Sequence, residues 1–303
     1  MGVISSQGDA PGIPAIDRTT CTVCAACAET CPSGLFEKRG RAIVIDHGTT
    51  FGCVACGQCM MVCPSGSVTV TGRKLRPADL VELPPKKRRA TPEQLEALML
   101  ARRSVRKFRK DDVPRELLDR VVTAAATAPM GIPPWEVGVV VFHGRDKVRE
   151  LAFDAADLYA GLLKLVDNPI ATTLARPFLS RATWEQLTSF ILPLGRELAA
   201  GRKQGVDYAL YGAPAALLFH VSPYADAADA FIACTYAMLA AGALGLGTTM
   251  IGCVSPPLAR KKDLLRKYGL PEGHLPKIVL ILGWPATHYR KAIRRSFASV
   301  RYY

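Results

Sequence analysis

Hydrophobic and polar residues alternate in several short segments of this 303-residue chain, and each such segment predicts a β-strand. Two of them, residues 41–46 and 67–71, lie near the amino end. The others are more apolar, which is typical of strands buried inside a larger sheet. They are residues 137–142, 215–221, 248–254 and 277–283.

Apolar residues at helical spacing predict helices between these strands. Thr91-Pro92-Glu93-Gln94 combines an N-cap residue, a proline at the first helical position and a glutamine at N3, so a helix is expected from here to about Ala101. A second helix is expected to open at Val113-Pro114 and to end at Ala128-Pro129. The remaining helical segments are 151–166, 184–198, 226–244 and a short helix that ends at 264–268.

The run from Ala230 to Ala259 contains no charged residue and is long enough to cross a membrane. Four glycines interrupt it, Pro256 and Pro257 end it, and acidic residues stand just before it. These features favour a buried helix followed by a buried strand. No membrane span is therefore expected.

Eight of the ten cysteines belong to an internal repeat. The pattern C-x2-C-x2-C-x3-C-P occurs twice, and both copies continue as Ser-Gly. This spacing indicates two 4Fe–4S clusters, because three closely spaced cysteines can each bind one corner of a cubane while the fourth comes from elsewhere. The eight are Cys21, Cys24, Cys27 and Cys31 in the first copy, and Cys53, Cys56, Cys59 and Cys63 in the second.

A zinc site and a disulfide framework are the alternatives for these cysteines. Zinc sites usually present pairs of C-x2-C rather than triplets followed by Cys-Pro. A disulfide framework would need a secretory segment, and residues 1–15 contain no apolar stretch that could serve as one. Unpaired cluster cysteines indicate a reducing compartment, so we expect a cytoplasmic protein.

The cysteine stretch resembles the bacterial two-cluster ferredoxins over roughly residues 15–72. The resemblance implies that the cysteine before each proline closes the cluster of the other copy. It also implies an anaerobic prokaryotic source. A domain this short has little core of its own, so the clusters are expected to keep it folded. The implied ligand sets are Cys21, Cys24, Cys27 and Cys63 for one cluster, and Cys53, Cys56, Cys59 and Cys31 for the other.

A formal charge of +13 makes the chain basic. Such a surface could attract an acidic redox partner, for example a small ferredoxin, or an anionic substrate. No nucleic-acid-binding module accompanies the charge, so nucleic acid is not an expected partner. Residues 73–91 are rich in proline and cationic side chains, which predicts a linker between a domain at 1–72 and a larger domain at 92–303.

A second group of candidate residues follows the helix predicted at 92–101. Arg102, Arg103 and Arg106, with Ser104 among them, can bind a phosphate through charge-assisted hydrogen bonds. Taken alone, such a group is more often an exposed basic face. Downstream come, in order, a helix, an Ala-Pro pair, a Pro-Trp pair and a strand.

In this order the elements resemble the nitroreductase family of FMN flavoproteins, over about residues 92–297. The resemblance implies an α+β protein: a dimeric α/β/α domain with a mixed sheet flanked by helices, preceded by the ferredoxin-like domain. The residues implied at FMN are Arg102, Arg103, Ser104 and Arg106 at the phosphate and ribityl chain, Met130, Gly131, Ile132 and Pro133 along the ring edge, Met250, Ile251, Gly252 and Cys253 at the N5/O4 edge, and Arg290 and Arg294 returning to the phosphate.

The sequence departs from the family pattern before Pro-Trp, where Gly131 and Pro133 replace the usual Asn and Gln. Backbone amides at Met130 and Gly131 are expected to take over the hydrogen bonds to the ring, since glycine allows a close backbone approach. For Cys253, a small buried apolar filler is the commoner role.

Two one-electron clusters fused to a flavin predict an electron converter. The leading hypothesis is that electrons pass between the clusters and FMN, which reduces a small organic acceptor, such as a nitro compound, quinone or activated alkene, by hydride transfer from N5. Two alternatives stay open: NAD(P)H reduces the flavin and the clusters carry electrons outward, or the chain is a non-catalytic electron-transfer or redox-sensing module. The sequence identifies no catalytic side chain.

Overall fold

The computed structural model describes residues 10–131, 135–168, 170, 172 and 176–303. Within these ranges the chain forms a small amino-terminal part with two two-stranded sheets and a larger part built on one four-stranded sheet. An exposed segment lies between them, since residues 81–90 are all exposed.

The amino-terminal part consists of four short strands and two short helices. In chain order these are β1 (Ile13–Ile16), α1 (Ala26–Thr30), β2 (Phe36–Arg39), β3 (Ala42–Ile45), α2 (Gln58–Met61) and β4 (Val68–Thr71). β1 pairs antiparallel with β4, and β2 pairs antiparallel with β3. The two strands predicted from alternation are therefore present as β3 and β4.

The connecting segment begins later than predicted. Leu75 is buried in the core of the amino-terminal part, so the boundary expected at residue 72 falls inside packed structure. Single 3-10 turns at Pro77–Asp79 and Lys86–Arg88 interrupt the exposed chain that follows. Val81 is 85% exposed in this segment.

The larger part alternates helices and strands close to the positions that hydrophobic spacing predicted. In chain order they are α3 (Pro92–Ala101), α4 (Arg115–Ala125), β5 (Val137–His143), α5 (Arg145–Val166), α6 (Arg181–Gln186), α7 (Leu192–Gln204), β6 (Ala215–Val221), α8 (Ala227–Ala243), β7 (Gly247–Ile251), α9 (Ser255–Leu258), α10 (Lys262–Lys267) and β8 (Leu275–Gly283). One π-helical turn, Leu187–Ile191, separates α6 from α7.

The four strands pair in the order β5-β6-β8-β7, and every pairing is antiparallel. The expectation of a mixed sheet was therefore wrong for these strands. β6 and β7 run in the same direction, but β8 lies between them, so parallel strands are not neighbours. A parallel pairing appears only as an isolated bridge between Ser104 and Thr248 among the described residues.

Helices cover both faces of this sheet. All seven residues of β6 are buried, and successive side chains point to opposite faces. Leu218 packs with the helix α5 on one face, whereas Leu217 and Phe219 pack with α4 and α8 on the other. The result is the α/β/α arrangement that was expected.

The uncharged run predicted to be a buried helix forms α8. Ala230, Ala237 and Ala241 are fully buried against the sheet. The opposite side of the helix remains open, with Phe231 44% exposed and Tyr236 39% exposed. Across the described ranges, none of the helices combines the length and apolar character needed to cross a membrane.

The capping box predicted at the start of α3 is confirmed. The N–H of Gln94 donates to Thr91 Oγ1 at 3.3 Å, and the N–H of Thr91 donates to Gln94 Oε1 at 3.0 Å. No residue of α3 is buried, so this cap and its contact with α8 fix the helix. The helix ends at Ala101, so the arginine segment begins directly after it with Arg102.

Candidate functional site

The cysteines of the repeat assemble into two groups, each of which draws on both copies. The Cys27 thiol lies within electrostatic reach of Cys24 and Cys63, and the Cys59 thiol within reach of Cys53, Cys56 and Cys31. The cysteine before each proline thus crosses to the triplet of the other copy. We call these the first cysteine group (Cys21, Cys24, Cys27 and Cys63) and the second cysteine group (Cys31, Cys53, Cys56 and Cys59).

The membership of Cys21 rests on the repeat, with its side chain partly buried beside the same core. The ten cysteines of the chain are all free. In the described ranges, no three His, Cys, Asp or Glu side chains are arranged to hold a single metal ion.

The second cysteine group lines an enclosed cavity in the amino-terminal part. Gly12 borders it closely: a Cβ on this residue would lie only 2.7 Å from Cys53 Sγ. Burial, and after it the neighbouring cysteines, raise the pKa of the Cys59 thiol to about 12. Four cysteines, one buried and three partly buried, line one space, and four thiolates are the donor set of a 4Fe–4S cluster.

Left-handed residues bend the chain around each group in the same way. Val23 and Ala25 have φ of +56° and +68°, and the equivalent Ala55 and Gly57 have φ of +56° and +73°. Such conformations are uncommon for residues with a Cβ, and they turn successive backbone N–H groups toward a shared anion. The repeated geometry fits two similar anionic groups.

Hydrogen bonds to sulfur stabilise the thiolate at Cys63. Burial alone would raise the pKa of this thiol, but hydrogen bonds from Ser65 and from the backbone N–H groups of Val68, Ser65 and Ser67 lower it overall. The Ser65 hydroxyl lies 3.7 Å from Cys63 Sγ. Hydrogen bonds of this kind also tune the potential of a bound cluster.

The second candidate site is a cavity lined by arginines from two distant segments. Arg102, Arg103, Ser104 and Arg106 line it from the end of α3. The exposed carboxyl-terminal segment 286–303 contributes Arg294 and Arg295 from the other side. Within the described chain, none of these five arginines forms an ion pair, so their charges are available to an anion.

Strand β7 fixes the position of the first arginine segment. The N–H of Val105 donates to the carbonyl of Thr248 at 2.9 Å, and Thr249 Oγ1 donates to the carbonyl of Val105 at 2.6 Å. Gly247 allows this approach, since a Cβ there would lie 2.7 Å from the Val105 side chain. Arg103 reaches the carbonyl of Lys291 at 3.5 Å, which links the two arginine segments.

An adjoining cavity continues from the same arginines along α8. Arg102 and Arg103 line it together with Met238, Gly242 and Thr248. The carboxyl-terminal segment closes it through His288 and Tyr289. A phosphate at the arginines and a longer group along this second cavity would therefore be in contact with one continuous surface.

The remaining candidates implied at FMN lie away from these two cavities. Met130 is partly buried, Gly131 and Gly252 are exposed, Met250 and Cys253 are partly buried and Ile251 is buried. Arg290 is exposed and lines neither cavity, in contrast to Arg294. Ile132 and Pro133 fall outside the described residues.

Asp229 was not among the residues predicted from the sequence to belong to the site. This aspartate is 6% exposed, and its Oδ2 accepts a hydrogen bond from the N–H of Gly131 at 3.1 Å. The amide expected to contact a flavin ring is therefore engaged within the protein. The available signal was an acidic residue in the first turn of α8, directly before the uncharged run.

Cys253 occupies a packed position. Its carbonyl accepts a hydrogen bond from the Tyr159 hydroxyl at 2.9 Å. Burial raises the pKa of the Cys253 thiol. The residue packs against the core on the α5 face, which matches the role of apolar filler.

Comparison with known proteins finds matches to both parts of the chain. A family model described as "Nitroreductase family" matches residues 99–284, and one described as "4Fe-4S dicluster domain" matches residues 20–68. The crystal structure of a nitroreductase with bound FMN from Bacteroides fragilis has a TM-score of 0.50 at 19% identity, covering 69% of this chain and 99% of that one. It shows the fold of the larger part.

Two curated relatives are similar in sequence. The chain is 25% identical over 193 residues to FMN reductase (NAD(P)H) of Bacillus subtilis, which covers 63% of this chain and 66% of the relative, just under two thirds. It is 27% identical over 194 residues to a putative NADH dehydrogenase/NAD(P)H nitroreductase of Methanothermobacter thermautotrophicus, covering 63% of this chain and 77% of the relative. With more than half of its length matched by the family model, this chain belongs to the nitroreductase family and carries a ferredoxin-type 4Fe–4S dicluster domain ahead of it.

Proposed function

We propose that this protein is an FMN-dependent oxidoreductase that passes electrons between two 4Fe–4S clusters and FMN to reduce a small organic acceptor. Nitro compounds, quinones and activated alkenes are the acceptor classes that suit hydride transfer from flavin N5. The observation that carries the proposal is the arginine-lined cavity, together with eight cysteines in two groups on the same chain.

The arginines suit the phosphate of FMN. Arg102, Arg103 and Arg106 converge with Arg294 and Arg295 on one cavity, where Glu93 and Glu96 are the acidic residues. Guanidinium groups bind phosphate through paired charge-assisted hydrogen bonds. The cations outnumber the carboxylates, so an anion would stabilise this part of the structure.

When bound, FMN supplies hydride chemistry at N5, and the clusters supply electrons one at a time. The chain's own residues position these groups. Val105 and Thr248 fix the arginine segment on β7, and Asp229 fixes the backbone at Gly131. The free cysteines of both groups require a reducing compartment, for which we propose the cytoplasm.

We also propose that the protein works as a homodimer. The outer side of α8 exposes Phe231, Ile232 and Tyr236, and neighbouring α3 exposes Met99 and Leu100. A contiguous apolar surface of this kind is typical of an interface between subunits. A second copy of this chain would cover it beside the arginine-lined cavities.

One test removes the phosphate-binding arginines. Arg102→Ala and Arg106→Ala are expected to lose bound flavin and activity, measured by absorbance and by acceptor reduction after anaerobic purification. Arg181→Ala is the matched control, because Arg181 is exposed and pairs only with Glu185 at 2.8 Å. Wild-type activity in a preparation without flavin would refute the proposal.

A second candidate is that NAD(P)H reduces the flavin directly and the clusters carry electrons outward. The names of both curated relatives favour it, since both include NAD(P)H. Anaerobic stopped-flow mixing with NADH or NADPH decides between the two. Fast bleaching of the flavin supports the second candidate, whereas bleaching only by a reduced one-electron carrier supports the first.

A further inference from the structure

A strained turn follows β4 at the end of the amino-terminal part. The N–H of Leu75 donates to the carbonyl of Gly72 at 2.9 Å, which closes the turn. Both central residues are left-handed, with φ of +48° at Arg73 and +69° at Lys74, as in a type I′ turn. Gly, Asn and Asp normally occupy these positions because a larger side chain is strained there. An arginine in this conformation points to a functional reason.

The side chain of Arg73 turns into the protein. Its Nε donates to the carbonyl of Ala10. Both terminal nitrogens are buried, and neither has a hydrogen-bond partner in the described part of the chain. A guanidinium carries five donors and a permanent charge, so burying it without partners is costly. A negative charge nearby would remove this cost.

The second cysteine group lies next to this guanidinium. Two residues after Ala10, the N–H of Gly12 donates to the carbonyl of Cys53 at 2.8 Å, and a Cβ on Gly12 would lie 2.7 Å from Cys53 Sγ. The guanidinium of Arg73 also lies within Coulombic range of the Cys53 side chain. Arg73 is therefore within electrostatic reach of a ligand of this group.

The internal repeat contains a natural comparison. Gly40-Arg41 follows Cys31 at the same interval at which Gly72-Arg73 follows Cys63. Arg41 is exposed, in the turn between β2 and β3. The two copies thus carry an arginine at the same position, but the guanidinium is buried only in the second copy.

The same turn is close to the nitroreductase part. His274, just before β8, has its pKa lowered chiefly by burial and further by the charge of Lys74. His274 Nδ1 lies 2.9 Å from the Nδ1 of His220, at the end of β6. The turn thus has Arg73 within electrostatic reach of Cys53 and Lys74 within electrostatic reach of His274.

We propose that the buried guanidinium of Arg73 raises the reduction potential of the cluster bound by the second cysteine group above that of the other cluster. Electrons then collect on the cluster of the second cysteine group. This inference rests on the part of the proposed function in which both cysteine groups bind clusters.

The physical reason is the change of charge on reduction. One electron leaves the cluster of the first cysteine group, which is oxidised, and reduces that of the second; a one-electron carrier outside the chain replaces it. The added negative charge is stabilised by a nearby cation, and more strongly so where water is excluded. An exposed cation such as Arg41 is screened and has little effect.

Arg73→Gly is the informative variant because it removes the charge without adding backbone strain. Glycine adopts positive φ freely, so the variant is expected to be at least as stable as wild type. Loss of the cation is expected to shift the electron distribution between the clusters at least tenfold toward the first group, which corresponds to 59 mV for one electron. The measurement is an EPR-monitored redox titration of the anaerobically purified full chain, with signals assigned through Cys24→Ser and Cys56→Ser.

Three controls accompany this variant. Arg41→Gly removes the equivalent exposed arginine, and Lys74→Gly relaxes the same turn while keeping the buried cation. Both are expected to leave the potential difference unchanged, and Arg73→Lys is expected to retain most of it. An unchanged difference in Arg73→Gly, or an equal shift of both clusters, would overturn the proposal. If Arg73→Gly does not assemble its clusters, Arg73→Gln provides the same comparison.

The titration requires neither flavin nor substrate. A chain that shows the shift but binds no FMN would contradict the proposed function and support the role of Arg73. Normal acceptor reduction with no shift in Arg73→Gly would do the reverse. An iron content short of two cubanes would contradict the assignment of the cysteine groups itself.

Discussion

His220 is a buried polar residue that packs closely against the neighbouring strand. It lies on β6 directly opposite Gly138 of β5, and it is 5% exposed. A Cβ on Gly138 would lie 2.2 Å from Cε1 of the imidazole. Glycine at this position therefore provides the space that the histidine ring occupies.

Gly138→Ala is expected to destabilise the fold by about 1–3 kcal/mol, because the added methyl group overpacks a closed site. Gly161→Ala is the control, since nothing lies within 4 Å of a Cβ at that helical position. Alanine there should stabilise the protein by up to about 1 kcal/mol. Urea unfolding under anaerobic conditions measures both, and equal effects would contradict the packing argument.

His220 also predicts a pH dependence of stability. Burial, and after it the neighbouring His274, lowers the pKa of His220 to about 4. The unfolded chain has the ordinary value near 6.5 and binds a proton that the native state does not, so the free energy of unfolding falls as the pH drops from about 6.5 toward 4. Between about pH 7.5 and about pH 5 the expected loss is about 2 kcal/mol.

Anaerobic urea titrations at the two pH values measure this loss. His220→Asn removes the titrating group and is expected to reduce the dependence. His47→Gln, at an exposed histidine, should leave it as in wild type. The same dependence in all three proteins would assign it to other groups.

At the scale of elements, β7 decides where the arginines lie. Val105 hydrogen bonds to Thr248, and its side chain fills the space over Gly247. The arginine segment has no helix or strand of its own, so this pairing replaces regular structure. A small displacement at β7 would be transmitted to Arg102 and Arg106.

Gly247→Ala is expected to weaken FMN binding roughly tenfold to a hundredfold, which corresponds to about 1–3 kcal/mol of overpacking against Val105. The double variant Gly247→Ala with Val105→Ala restores the space and should recover most of the affinity. Flavin fluorescence titration of the apoprotein measures both. Failure of the second substitution to recover affinity would show that Val105 is not the cause.

At the scale of the whole molecule, the outer side of α8 exposes a group of apolar side chains. Phe231, Ile232 and Tyr236 lie there beside residues of α3. Since α3 leads into the arginines, covering this side would also order the flavin site.

Ile232→Lys is expected to convert the dimer to a monomer and to lower flavin retention, because a charge would be buried at the interface. Light scattering after gel filtration gives the mass, and absorbance gives the flavin content. Leu83→Lys is the control, since Leu83 is 80% exposed in the connecting segment. A wild-type mass for Ile232→Lys would place the interface elsewhere.

Structural features that depend on residues close together in the chain could be predicted from the sequence. The capping box at Thr91 is formed by residues close in sequence, and it was predicted correctly. The antiparallel strand order of the sheet was not predicted, because β8, which comes last in the chain, lies between β6 and β7. Neither alternation nor helical spacing contains information about which strands become neighbours.

The sequence by itself determined the cysteine repeat, the grouping of the arginines at residues 102–106 and the positions of most helices and strands, because these depend on short-range spacing and side-chain chemistry. Only the tertiary structure decided that Arg294 rather than Arg290 lines the same cavity as Arg102. It also decided that Asp229 accepts the hydrogen bond of the Gly131 amide, and that the guanidinium of Arg73 is buried while that of Arg41 is not. These outcomes depend on contacts between residues far apart in the chain, and such contacts form only when the whole core packs.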